Sequence, residues 1–437
     1  MDRPLIPGLA LVVVSLLLLW WSLHLRRRHR LLRDLPTSKA RGVFIGLVEL
    51  KGSAEAEAPL RSFLAGQRCV HYRYSVEERW SRTVTEHYTD KDGKSQTRTR
   101  HESGWNTVAS GGETMPFYLQ DDTGVVLVRP DGARIEPCTL FSETASRGDD
   151  LYYAKGPPGA VGDSDHVRRF TESGLPLHAN LYVVGRARER ADLVAPEIAA
   201  DRDAPVFLIS CKSEERVLTG YAAGSWVTWA LGLVAAGGVG AVLVADVAPD
   251  RRWVPVVGCV AGFLALWGAA WIWMAYNSLV GLRERVRQAW SLIEVELKRR
   301  HDLIPALVNT LGGLRTHEAS LQTALAQLRA QQAATPPGVV GPDFHGLASS
   351  LRVVVESYPE LKAQPAFARL HTELVTTEQR IALARTYYND TATHFATRLE
   401  QVPDRWVARL GRMSPAPLLA ASDFERAEVR VQFADGA

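Results

Sequence analysis

The chain has 437 residues, enough for two or three domains, and its 51 basic and 48 acidic residues leave a net charge of only +3. So even a balance excludes a molecule built to neutralise nucleic-acid phosphates. Four widely spaced cysteines, Cys69, Cys138, Cys211 and Cys259, with no CxxC, exclude a disulfide-dense scaffold and the paired ligands of a zinc finger or RING. Three thiols are expected in or near strands and one in a membrane span.

Residues 1–4 form a short outer N-terminus. Residues 5–25 then make an almost unbroken apolar run, about the length that a bilayer crossing requires. The basic residues follow this run instead of preceding it, and no small-residue cleavage site appears, so it reads as a retained anchor. Residues 26–41 are a basic linker, in which Arg26, Arg27, Arg28, Arg30 and Arg33 act as a topology signal.

Between 42 and 218 the pattern turns to short runs of branched and aromatic residues, as strands prefer. These runs are Val43–Leu50, Cys69–Val76, Met115–Asp121, Gly124–Pro130, Leu181–Ala187 and Val206–Ser210. Pro130-Asp131-Gly132 predicts a hairpin between Val128 and Ile135, and Asp90-Lys91-Asp92-Gly93 predicts another, capping a polar ribbon from Glu78 to Glu102. His71, His87, His101, His166 and His178 have no metal-ligand spacing. Asp121 and Asp122, lying before Thr123-Gly124, read as turn formers.

Two further spans, 226–247 and 254–274, flank a turn at 248–253. Trp226, Trp229, Trp253, Trp271, Trp273 and Tyr276 sit near their ends. Gly258 and Gly262 form a GxxxG, so homo-oligomerisation stays open. The basic flanks put the N-terminus outside and both soluble regions in the cytoplasm of a multi-pass, bacterial inner-membrane protein.

From 275 to 437 apolar residues recur at helical spacing. The first stripe is Leu279, Val286, Trp290, Ile293, Leu297, Leu303, Leu307 and Leu311, with a kink expected at Pro305 and an interruption at Gly312-Gly313. After a break at Thr335-Pro336-Pro337-Gly338, a second helix is expected over Phe344–Ser357. A third is expected over about 366–400, with Phe367, Leu370, Leu374, Ile381, Ala384 and Tyr388 as its stripe. A short fourth carries Trp406 and Leu410.

The segments PFYLQDDTGVVLVRPDGA (116–133) and RRFTESGLPLHANLYVVGRARE (168–189) resemble the GIDE, or beside-a-membrane, domain over most of 36–218. That domain is known from membrane-anchored ubiquitin ligases, which place a RING after the last span; this chain has none. YNSLV (276–280), IEVELKRRHDLIPALV (293–308), ESYPELKAQPAFARLHTEL (356–374) and TEQRIALARTYYND (377–390) are similar to the LemA family. The two resemblances imply an α+β membrane protein with three transmembrane helices, a β-rich GIDE-like domain and an antiparallel LemA-like helical bundle.

The candidate partner surface is Lys298, Arg299, Arg300 and His301, with Glu172. At ~1.5 Å per residue, Lys298 lies roughly 35 Å beyond Met274, too far for lipid contact. The plainer reading pairs Arg299 or Arg300 with Glu378 or Asp390, and Arg385 with Glu356. Glu172 equally suits a loop anchor, and Tyr387, Tyr388 and Asn389 suit a core or cap. No catalytic residue, metal or cofactor is expected. The chain reads as a non-catalytic membrane scaffold or sensor, in contact with the bilayer and with protein partners but not nucleic acid. The alternatives are a component of a ubiquitin-like ligase system, which the GIDE resemblance implies, and an accessory subunit of a membrane protease or transporter.

Overall fold

Val48, Leu50, Leu119, Val126, Val128, Val183, Ile198 and Ile209 supply the inward faces of short strands and meet in one apolar cluster. That cluster is the core of the first of two units in the computed structural model. The structure describes residues 5–89, 95–190, 195–202, 204–243, 251, 253–312 and 365–419. One unit is Thr37–Val217; the other joins Met1–Pro36 to Leu218–Ala437.

In the first unit β1 (Gly46–Glu55), β5 (Phe117–Gln120), β6 (Val125–Val128), β11 (Pro196–Ala199) and β10 (Asn180–Glu189) pair in that order. β10 pairs back onto β1, from Gly46↔Ala187 to Ser53↔Asn180. The ring closes into a barrel-like sheet, which removes its free edges. β12 (Leu208–Ser210) extends it from β10, with β7 (Arg134–Glu136) outermost. A second sheet takes β2 (Leu60–Arg61), β3 (Arg68–Thr89), β9 (Ser164–Pro176) and β8 (Cys138–Ser146), with β4 (Ser95–Thr114) on β3. A short helix, α2 (Asp150–Ala154), precedes β9. β3 and β4 pair out to Thr89↔Ser95, as the expected ribbon requires, while the turn at 90–94 lies outside the described residues.

The expected hairpin at Pro130-Asp131-Gly132 is not one. The turn exists, with the Ala133 amide donating to the Pro130 carbonyl at 2.9 Å and Gly132 at φ +78°. Yet β6 pairs β5 and β11, and β7 pairs β12. Gly132 alone has positive φ, so the turn lacks the doubly positive geometry that matches strand twist, and its flanks diverge.

The other unit is helical: α1 (Leu5–Arg33), α3 (Glu214–Leu243), α4 (Trp253–Gly312), α5 (Pro365–Glu400) and α6 (Asp404–Leu410). Three stretches, Gly8–Arg33, Glu214–Val242 and Trp253–Arg300, are long and apolar enough to cross a membrane. At Gly240 an added Cβ would lie 2.4 Å from the Val256 Cα, so glycine permits the α3–α4 approach there, whereas Gly258 and Gly262 face open space. α4 runs unbroken through Pro305 for 60 residues, about 90 Å. The expected helix at 344–357, its flanking turns and Glu356 lie outside the described residues.

α4 and α5 are antiparallel: Trp290 meets Tyr388 edge to face, and Arg300 meets Glu378. Leu282, Val286, Ile293 and Leu297 pack against Ile381, Tyr388 and Phe395. Burying each such side chain contributes about 1.5–3 kcal/mol, so this seam outweighs the ion pairs at its edge. α6 forms where a fourth helix is expected, but it buries Val407 and Ala408 and leaves Trp406 and Leu410 exposed.

Candidate functional site

The barrel-like sheet opens a polar cleft of about 730 Å³, lined by Lys39, Lys51, Gln120, Asp121, Asp122, Asn180, Tyr182, Cys211, Lys212 and Glu214 among others. β1 brings Lys51, the end of β5 brings Gln120, and β10 brings Asn180 and Tyr182. Next to the lining residues Lys51 and Tyr182, Glu49, 1 % exposed, accepts from the Thr37 hydroxyl at 2.7 Å and the Tyr182 hydroxyl at 2.8 Å. Burial raises the Glu49 pKa against the lowering bond from Thr37, and the charge of Glu214 adds to the rise. Lys51 spans both acids, 2.7 Å from Glu214 and 3.5 Å from Glu49. Burial would depress its pKa, but these partners raise it.

Lys39 pairs with Asp122 at 2.6 Å and Lys212 with Glu136 at 3.4 Å. Asp121 caps its own turn, accepting from the Thr123 and Gly124 amides and from Ala40. The lysines are thus partnered, and the cleft presents mixed charge to a visitor. Its thiol is no nucleophile: burial, then contact with Cys138 at 3.2 Å, pushes Cys211 up to about 12, so it stays protonated near neutrality. The cleft presents hydrogen-bonding groups and paired charges to a visitor.

Of the sequence-selected residues, Glu172 and Arg300 are buried, each within its own unit. Glu172 is 1 % exposed in β9 and accepts from the Leu64 amide at 3.0 Å and the Ala65 amide at 2.8 Å. This bonding anchors the loop before β3 and leaves no carboxylate at the surface for a partner. Arg300 is 6 % exposed and pairs with Glu378 at 3.4 Å. Lys298 and Arg299 are exposed on α4, and the His301 side chain lies outside the described residues.

Sequence reasoning missed a buried polar network in the helical unit. Asp34, just past α1, accepts from Arg398 and from the Ser278 hydroxyl at 2.6 Å, with His394 Nε2 at 3.3 Å. Arg285 donates to the Asp34 carbonyl at 2.7 Å. Arg398 also reaches Asp404, at 2.7 Å from Nε, and Arg30 reaches Asp404 at 3.2 Å. Arg30 therefore does more than mark topology: it ties α1 to α6. The one local hint was a lone acid closing an arginine run.

Burial alone would raise the Asp34 pKa, but the bond from His394, the charge of Arg398 and the bond from Ser278 bring it down to about 2. Its folded value lies below its ordinary 3.8, so its stabilisation is complete above pH ~4 and lost as pH falls through about 2. That gap corresponds to roughly 2 kcal/mol. Thermal melts of the detergent-solubilised chain between pH 5 and 2 should lose this increment. Asp34→Asn should melt lower at pH 7 and show a flatter acid limb; an unchanged limb would refute the assignment.

A family model described as E3 Ubiquitin ligase (GIDE) matches residues 85–244, and the LemA family model matches residues 289–433. Protein LemA of Metamycoplasma hominis is 25% identical over 158 residues, which cover 35% of this chain and 72% of that protein. No solved structure matches the chain. The GIDE match runs from within β3 through α3, and the LemA match takes in the α4–α5 seam from residue 289 onward; in this chain a GIDE domain is joined to a LemA family domain.

Proposed function

We propose that the protein is a multi-pass membrane scaffold or sensor that binds protein partners and performs no chemistry of its own. The observation that carries this reading is the cleft beside β1 and β10. It has room for a ligand, but its lysines are ion-paired and its thiol is protonated. The span-length helices support insertion in a bilayer, and the basic flanks at Arg26–Arg33 and Arg283–Arg300 favour an outer N-terminus with both soluble regions in the cytoplasm of a bacterial inner membrane. The LemA match and the antiparallel α4–α5 pair support a cytoplasmic helical bundle.

Crosslinking in native membranes, followed by pull-down of the tagged full chain, tests the reading. A discrete partner should be captured, and Lys51→Glu, which sets a third acid beside Glu49 and Glu214, should reduce its yield about ten-fold. Capture indifferent to that change would remove the cleft from the function. The GIDE match favours a second reading, a component of a ubiquitin-like ligase system. Conjugate formed by the purified chain with an E2-type enzyme, and lost on deleting 42–218, would replace the scaffold reading.

A further inference from the structure

On the α4–α5 seam lies an extended segment, Met413–Leu419, whose sequence is MSPAPLL. Met413, Ala416 and Leu419 pack against the apolar cluster that includes Trp290 and Tyr388. The intervening Pro415, Pro417 and Leu418 are exposed. Contact at every third residue is the repeat of a polyproline II helix, which has three residues per turn and no internal hydrogen bonds.

The groove supplies the bonds that such a chain lacks. The Tyr388 hydroxyl donates to the Pro417 carbonyl at 2.8 Å. Asn389 meets Leu419 as a second backbone would, its Nδ2 donating to the carbonyl at 3.0 Å and its Oδ1 accepting from the amide at 2.9 Å. Trp290 and Tyr388 stand edge to face, with ring centroids 5.5 Å apart. Aromatic walls with side-chain donors aimed at main-chain carbonyls are how proline-rich segments are recognised, because the ligand is already ordered and loses little entropy on docking.

We propose that the α4–α5 seam is a peptide-recognition groove for proline-containing polyproline II segments. Met413–Leu419 is its intramolecular ligand, and a partner protein's segment of the same chemistry replaces it. The polar contacts go to main-chain atoms, so any segment with apolar residues three apart and prolines between them meets the same groove. Connection to α6 keeps the resident segment at high local concentration, which makes it a competitor that an incoming segment must displace.

The test uses the full chain in detergent and a fluorescein-labelled nonapeptide, RMSPAPLLA, as probe. Leu419→Asp puts a charge where the resident segment enters the cluster. This variant should bind the probe about ten-fold more tightly than the wild type, or about 1.4 kcal/mol. Adding Asn389→Ala should abolish the gain, and a probe with both prolines changed to glycine should bind about ten-fold more weakly. Equal binding by wild type and Leu419→Asp, or by Leu419→Asp with and without Asn389→Ala, would overturn the proposal. Should Leu419→Asp fail to fold, a protease site between Arg412 and Met413 frees the segment after folding; failure of the unlabelled peptide then to displace it would also overturn the proposal. The groove and the cleft lie in different units, so a pull-down dependent on Lys51 can succeed while the peptide fails.

Discussion

Replacing Arg398 with leucine should destabilise the helical unit by about 3–5 kcal/mol, the cost of removing one member of a buried charge network. Arg398 is 1 % exposed, and its guanidinium is shared between Asp34 and Asp404. Without it, two carboxylates at 3 % and 4 % exposure lose the guanidinium they share. Arg30 still touches Asp404, Arg33 and His394 stay 3.7 and 3.3 Å from the Asp34 carboxylate, and Arg285 touches only the Asp34 carbonyl, but none of them bridges the two acids as Arg398 does. Arg398→Lys keeps the charge but not the fork that reaches both acids, and should lose an intermediate amount. Melts followed by circular dichroism at 222 nm in detergent measure both. A leucine variant that melts with the wild type would show that the network adds nothing to stability.

The second large effect is expected at Arg168→Leu, also about 3–5 kcal/mol. Arg168 in β9 bonds to Glu78, which is fully buried, and donates to the carbonyls of Tyr152, Pro157 and Gly159 at 2.8–2.9 Å. Burial would raise the Glu78 pKa, but bonds from Ser164, Tyr152 and Arg168 lower it, so the acid is held ionised beside its partner. Losing the guanidinium strands that charge and three carbonyls at once. The stretch from α2 to β9 should then loosen. Limited proteolysis of the full chain should cut between 150 and 163 at least ten-fold faster than in the wild type; cleavage at the wild-type rate would sink the argument.

The two arginine sites explain why parts of the fold were hidden. β9 carries Arg168, Arg169 and Glu172 and reads as a polar surface stretch, yet Arg168 and Glu172 are among its most buried residues. Polarity patterns mislead wherever a charge is buried with its partner. β8 and β11 are short or polar and give no clear alternation. The cleft was illegible for a different reason: Lys51 and Asn180 come from separate strands and Cys211 from just past a third, and strand pairing alone sets them side by side. The Asp34–Arg398 contact joins residues 364 positions apart, beyond any local signal.

By itself, the sequence determined the features that one segment carries. Three apolar runs have the length and composition to cross a bilayer, and the 3.6-residue period marks the stripe from Leu279 to Leu297 and the matching one from Leu374 to Tyr388. Family motifs along the chain likewise marked the GIDE and LemA regions. Tertiary structure alone decided which charges meet and which are spent inside the protein. Sequence left Glu172 and Arg300 two readings, surface or internal partner; the structure selects the plainer one for both, the loop anchor and the Glu378 pair, whereas Asn389, expected as a core or cap residue, holds an extended segment of its own chain. A charge or an amide acquires a role only from the group placed within hydrogen-bond reach, and that distance is a property of the fold.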